Sequence, residues 1–164
     1  MNHSDWSKKD LEYIWHPCSQ MKDYETLPPI VIDHGKGVSL YDVEGKRKLD
    51  VVVSWWGDLG RHSHPKINRA IKEQLDSLAH GIFANFSHRP AITLCEELMK
   101  KIPRGLCKFN FSDNGSASIE SAMKMSFQYH YPTGHRQKVR FMSLSAAYHG
   151  ETLGALSAGG LDLY

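Results

Sequence analysis

The sequence predicts an α/β fold that opens with a small antiparallel meander and continues into the first part of a larger, incomplete α/β domain. Three observations predict it. Short β-rich runs near the N-terminus are separated by glycine turns. After residue 64 the apolar spacing changes from that of strands to that of helices. From there the order is helix, helix, strand, helix, strand, which is the order of an α/β layer still short of strands. The expected division is therefore residues 1–64, carrying the meander, and residues 65–164, opening the larger domain.

Residues 1–29 are polar and aromatic and close on Pro28-Pro29. Ile30-Val31-Ile32-Asp33 leads into the turn Gly35-Lys36-Gly37, Val38 to Val43 follows, Glu44-Gly45 turns again, and Lys46 to Val53 completes the meander. Glycine supplies the positive φ that such tight hairpins need. Pro65 can open a helix at no cost, and Ile67, Ile71, Leu75 and Leu78 then share one face. Residues 80–88 read as a loop. A second helix follows Pro90, with Leu94, Cys95, Leu98 and Met99 inward, and Pro103 stops it. Leu106 to Phe111 has the alternation of a strand. Ser112–Ser116 is a turn, and a third helix runs from about Ala117 to His130 with Ile119, Ala122, Met123 and Phe127 on its buried face. Glu120 and Lys124 are spaced to pair along that helix. Val139 to Leu144 is a further strand candidate.

Composition narrows the function classes. With 41% hydrophobic and 23% charged residues the chain is an ordinary globular one, and a formal net charge of +2 gives no nucleic-acid footprint. No apolar run approaches the ~20 residues of a membrane helix, and Met1–Glu12 lacks the apolar stretch of a secretory leader. Cys18, Cys95 and Cys107 show neither metal nor redox spacing, which suits a reducing cytoplasm. The histidines come nearest to a ligand pattern at His62-Ser63-His64. No carboxylate or cysteine recurs at ligand spacing, so no metal site is expected. The apolar pattern stops at Leu161–Tyr164 without a terminating device, as in an interrupted chain.

Four stretches carry chemistry. In Phe111-Ser-Asp-Asn-Gly-Ser116 a strand gives way to a glycine turn and a helix start. The free N–H groups of that start suit a phosphate, Gly115 allows close approach, and the Ser116 hydroxyl can donate to a phosphate oxygen. The same residues also suit an ordinary turn with Ser116 as N-cap. Tyr148-His149-Gly150 lies just beyond a strand, where open α/β sheets bind ligands, and Tyr148 can stack on a planar group or pack as a turn residue. In Ser54-Trp55-Trp56-Gly57 one tryptophan can be core while the other walls an apolar pocket. Trp15-His16-Pro17-Cys18 forms a fourth aromatic patch, in which His16 reads as structural.

Together and in this order, these stretches resemble the class III aminotransferases. The matching residues are Trp15-His16-Pro17, Ser54-Trp55-Trp56, His80 through Ala91, Ser112–Ser116, Ala122-Met123-Lys124-Met125, Phe127-Gln128-Tyr129 and Tyr148-His149-Gly150-Glu151-Thr152. The Trp-His-Pro and Trp-Trp motifs resemble the branch that serves biotin biosynthesis. The resemblance implies a fold type I transferase dependent on pyridoxal 5'-phosphate (PLP), with residues 65–164 opening its PLP-binding large domain. It implies that Gly115 and Ser116 hold the cofactor phosphate, that Tyr148 stacks on the ring and borders the substrate, and that Trp55 walls the substrate pocket. It further implies 8-amino-7-oxononanoate as amino acceptor, S-adenosylmethionine as donor, and a homodimer with no nucleic-acid or membrane partner. The alternatives are another class III ω-aminotransferase, or a non-catalytic phosphate-binding fragment.

Two departures matter. Many members carry a tyrosine after Trp-His-Pro where this chain has Cys18, and a thiol lacks a phenol's reach and hydrogen bond. The Schiff-base lysine and the aspartate that pairs with the pyridine nitrogen lie downstream in the family, and no lysine here stands in a matching motif. These 164 residues alone are therefore expected to lack transaminase activity.

Overall fold

The computed structural model describes residues 3–56 and 60–160. Gly57, the side chain of Trp56 and the Leu161–Tyr164 end lie outside the described residues. Contacts divide the chain into two compact units, residues 1–86 and 87–164.

The first unit opens with helix α1 (His3–Tyr13), which the sequence pattern does not signal because its apolar residues are too sparse. The buried Ser7 donates from Oγ to the Pro29 carbonyl at 3.1 Å and ties α1 to the Pro28-Pro29 corner. A short 3₁₀ turn, Met21–Glu25, follows. The expected meander is present as β1 (Ile32–Lys36), β2 (Ser39–Asp42) and β3 (Arg47–Leu49), antiparallel in the order β1-β2-β3. Lys36 pairs with Ser39 across the two-residue loop Gly37-Val38, and the β1 register shifts between Ile32 and His34. Tyr41 pairs with Arg47 across the second turn, where Gly45 stands at φ +77°.

That second turn is organised by Asp42, which is 3% exposed. Its Oδ1 accepts the N–H groups of Glu44 and Lys46 at 3.0 and 2.8 Å. Burial opposes ionisation of this carboxyl, yet those two N–H groups, with Lys48 and Lys46 nearby, hold it below the usual carboxylate range. Beyond β3 the single turn α2 (Val53–Trp56) leads to α3 (Pro65–Ser77), which begins at Pro65 as expected.

The second unit contains α4 (Arg89–Met99), α5 (Gly115–His130) and α6 (Leu153–Ser157). His88 caps α4, its Nδ1 accepting the Ala91 N–H at 3.4 Å. The strands expected at 106–111 and 139–144 are not formed: among the described residues the meander is the one sheet. A strand exists through its ladder partners, and neither segment finds one here.

The expected buried faces are largely open for the same reason. Ile67, Ile71 and Leu75 on α3 and Leu78 just beyond it are exposed, as are Leu94 and Met99 on α4 and Phe127 on α5. Among the described residues Ala155 alone forms a fully closed apolar core position. No helix among the described residues is long and apolar enough to cross a membrane.

Candidate functional site

Helix α5 begins two residues earlier than the sequence suggests. Its N-cap is Asn114, not Ser116. Asn114 is extended (φ −158°, ψ 176°), and its Oδ1 accepts the Ala117 N–H at 2.9 Å. Its carbonyl accepts from both the N–H and the hydroxyl of Ser118 at 3.1 and 3.0 Å. Such a cap stabilises a helix by about 1 kcal/mol. It also relieves Ser116 of capping. Gly115 and Ser116 become the first two helical residues, whose N–H groups have no acceptor within the helix and carry the positive end of its dipole. A Cβ added at Gly115 would meet nothing within 4 Å, so nothing within this chain crowds that position.

The segment around Tyr148 is locked onto this helix start. The Ser116 Oγ accepts the Glu151 N–H at 3.1 Å. Gly150 is buried and stands at φ +115°, and a Cβ there would lie 2.0 Å from the Ser116 Oγ and 2.9 Å from its Cα. Both the backbone angle and the contact therefore demand glycine. Ser116 accepts one hydrogen bond in this arrangement, and its hydroxyl proton remains able to donate to an oxygen outside the chain. Tyr148 is half-exposed and donates its OH to Glu151 Oε1 at 3.3 Å.

A second latch lies one turn along α5. Glu120 does not pair with Lys124. Its Oε1 accepts the Gly154 N–H at 2.8 Å at the start of α6. The carboxyl is held below its ordinary range by the Thr152 side chain first and then by the Gly154 N–H, against the opposing effect of burial, with the Ala155 N–H adding to it. Beside these latches lies an open apolar groove of about 400 Å³ that includes Ile119, Met123, Phe141, Leu144 and His149.

In the first unit, Trp55 sits on a strained turn. Val53, Ser54 and Trp55 all have positive φ, at 52°, 44° and 51°. Left-handed backbone costs an L-residue on the order of 1–2 kcal/mol, and a β-branched valine tolerates it least. The turn is held by Asp50, whose side chain is 5% exposed. Asp50 Oδ1 accepts the Ser54 N–H at 3.1 Å, and Oδ2 accepts the Ser54 hydroxyl at 2.7 Å and His62 Nε2 at 2.9 Å. The Ser54 hydroxyl, then the Ser54 N–H, lower this carboxyl's pKa; burial works the other way and His62 adds to the lowering. Trp55 is 61% exposed, so it is not a core residue of its unit.

The remaining aromatic patch is structural at His16, whose Nε2 bonds to Asp10 while its ring tilts against Tyr24 at 4.9 Å. Trp15 is exposed, and Cys18 is exposed at φ +53°.

The structure thus brings together Gly115, Ser116 and Tyr148, all three expected from the sequence. It adds Asn114, Glu120 and Gly150 in the second unit, and Asp50 with His62 in the first. Asn114 is one of several cap-competent residues before this helix, and the sequence alone does not single it out. The partners of Glu120 and Asp50 lie 34 and 12 residues away, and no local pattern announces them.

A helix start with two N–H groups that the helix itself leaves without an acceptor, a hydroxyl able to donate and an aromatic residue in the adjoining segment is an arrangement that can receive an anion. The family model for class-III aminotransferases matches residues 20–162, and the chain belongs to that family. Relatives include the adenosylmethionine-8-amino-7-oxononanoate aminotransferases of Geobacter sulfurreducens, 44% identical over 98% of this chain, and of Helicobacter pylori, 44% identical over 94%. The chain spans 35% of each of these relatives. The crystal structure of the Methanocaldococcus jannaschii enzyme of the same name superposes with a TM-score of 0.93 at 38% identity, covering 99% of this chain and 37% of that one. An ω-transaminase from Pseudomonas jessenii in complex with PMP gives 0.87 at 29% identity, covering 94% and 34%. The fold is accordingly that of about a third of a fold type I, class III aminotransferase.

The Glu120 latch makes a pH-dependent prediction. Its folded pKa lies below the unfolded value, so its contribution is complete above the ordinary glutamate range and is lost as pH falls through the folded pKa. In the full-length protein, Glu120→Gln should lower hydrogen-exchange protection of the Gly154 amide by about tenfold at neutral pH, since a charged acceptor binds more strongly. It should also remove the further loss that the parent protein shows on acidification. Equal protection in both proteins at every pH would mean that the ionised carboxylate does not hold α6.

Proposed function

We propose that this chain is the N-terminal part of a PLP-dependent transaminase that converts 8-amino-7-oxononanoate to 7,8-diaminononanoate, with S-adenosylmethionine as amino donor. The observation that carries the cofactor part is the pairing of open N–H groups at Gly115 and Ser116 with a Ser116 hydroxyl still able to donate. The names of the relatives support the substrate pair. Residues 1–64 would form the N-terminal segment and 65–164 the start of the PLP-binding domain, in a cytoplasmic protein.

The residues present fit the cofactor. An anion set against the start of α5 would receive two backbone N–H groups and one hydroxyl, with no Cβ in its way at Gly115. PLP, when bound, supplies the electron sink for amino-group transfer. Tyr148, held next to Ser116 through Gly150 and Glu151, would lay its ring on the pyridine and border the substrate. Trp55, exposed on its rigid turn, would wall the apolar chain of the acceptor. The lysine that holds the cofactor would come from the longer protein, as would the surfaces that cover the open faces of α3, α4 and α5. A second reading, another class III ω-aminotransferase, is favoured by the Pseudomonas jessenii neighbour. Cys18, where many members carry a substrate-recognising tyrosine, leaves room for it.

The longer protein would act as a homodimer. Phe83 and Phe86 stand exposed in the loop between α3 and α4, and a partner subunit would cover them.

Two measurements test this reading. In the full-length protein Gly115→Val should place a branched side chain where the phosphate approaches and weaken PLP binding by at least about tenfold. Unchanged affinity in a spectroscopic titration would refute the phosphate assignment. Light scattering on the active full-length protein should return a dimer, and a fully active monomer would refute the homodimer.

A further inference from the structure

The cluster of Asp50, Ser54 and His62 contains the three residue types of a hydrolytic relay, but in the wrong order for one. Such a relay needs the histidine between serine and aspartate. Here Asp50 stands in the middle and accepts from both. An ionised carboxylate can only accept, so the Ser54 Oγ and His62 Nε2 both act as donors, and the histidine does not face the serine.

What the cluster does is hold backbone. Asp50 leaves the meander with its N–H bonded to the Val38 carbonyl at 3.0 Å. His62 is fixed on the same sheet by reciprocal N–H···O bonds with Gly37, at 2.9 and 3.0 Å. Its ring also lies so close to Gly35 that a Cβ there would come within 2.7 Å of it. The carboxylate is therefore anchored from the sheet side, and its two oxygens reach the N–H and hydroxyl of Ser54, the middle residue of the left-handed run Val53–Trp55. Three successive non-glycine residues at positive φ persist only when surrounding bonds over-determine them, and such strain gathers where a side chain must be aimed.

We propose that Asp50, anchored by His62, is a positioning residue for Trp55: it holds residues 53–55 in the left-handed conformation that sets the direction of the exposed indole, and so sets acceptor specificity. This rests on the reading of Trp55 as the acceptor wall. Without Asp50 the turn relaxes toward negative φ and the indole swings away, leaving the cofactor cup of the other unit untouched.

A double-mutant cycle on the full-length enzyme tests it, with Asp50→Ala, Trp55→Ala and the double variant. Asp50→Ala should lower kcat/KM for the oxononanoate acceptor by about tenfold or more, mainly through KM, while PLP affinity and the rate of the donor half-reaction stay within about twofold. In the Trp55→Ala background the same change should cost less than about twofold, because contacts that act through one side chain are not additive. Asp50→Asn, which keeps one acceptor, should fall between. If Asp50→Ala fails to fold, Ser54→Ala, which deletes one bond to Asp50 Oδ2, takes its place in the cycle with an expected loss of about threefold. An additive cycle, or an unaltered acceptor KM, overturns the positioning role. If Trp55→Ala by itself leaves the acceptor KM unchanged, the acceptor-wall reading fails instead, and the proposal falls with it.

Discussion

The second unit depends on how closely the backbone at Gly150 lies against Ser116. The 148–152 segment can reach the first turn of α5 only because Gly150 has no side chain and takes a φ of +115°. From that contact follow the Glu151 N–H on Ser116, the placing of Tyr148 beside the helix start, and the entry of the chain into α6, where Glu120 receives Gly154. A helix N-terminus alone binds anions weakly and without selectivity. An aromatic ring beside it, as proposed for Tyr148, would favour a phosphate that carries a planar ring.

Asp50 repeats the same principle in the first unit. In each unit a carboxylate accepts N–H or O–H donors of a short segment near an aromatic residue, from four residues away at Asp50 and from 34 at Glu120. Glu120 does this for the segment after Tyr148, and Asp50 for the turn ending at Trp55. Irregular backbone needs such external bonds, because it lacks a ladder or helix of its own. Both carboxyls are held below their ordinary range by the donors they bind, so both remain acceptors at neutral pH.

The sequence made legible what rests on local rules. The meander follows from glycine turns and β-branched runs, the helices after Pro65 and Pro90 from their periodicity, and the turn into α5 at Gly115 and Ser116 from its glycine and polar residues. What escaped depends on distant partners. The 106–111 and 139–144 segments alternate like strands yet lack neighbours to pair with, so the pattern describes strand competence and not a formed strand. The inward faces on α3 to α5 were legible as apolar but remain open, since burial needs an opposing surface. Glu120 was read as a surface charge pair because i,i+4 spacing is visible in sequence, whereas a partner 34 residues on is not. The cap moved from Ser116 to Asn114 because Asp113, Asn114 and Ser116 all have capping ability, and only geometry selects among them.

The contact between Gly150 and Ser116 is tested most directly by Gly150→Ala in the full-length protein. The added Cβ would stand 2.0 Å from the Ser116 Oγ in a strained backbone, so the Tyr148 segment must move off the helix start. PLP affinity by spectroscopic titration should then fall by at least about tenfold in a protein whose near-ultraviolet circular dichroism remains that of a folded enzyme, because the Ser116 hydroxyl and the Tyr148 ring proposed to stack on the cofactor would lose their common placement. An alanine variant that binds PLP as tightly as the parent would contradict the account.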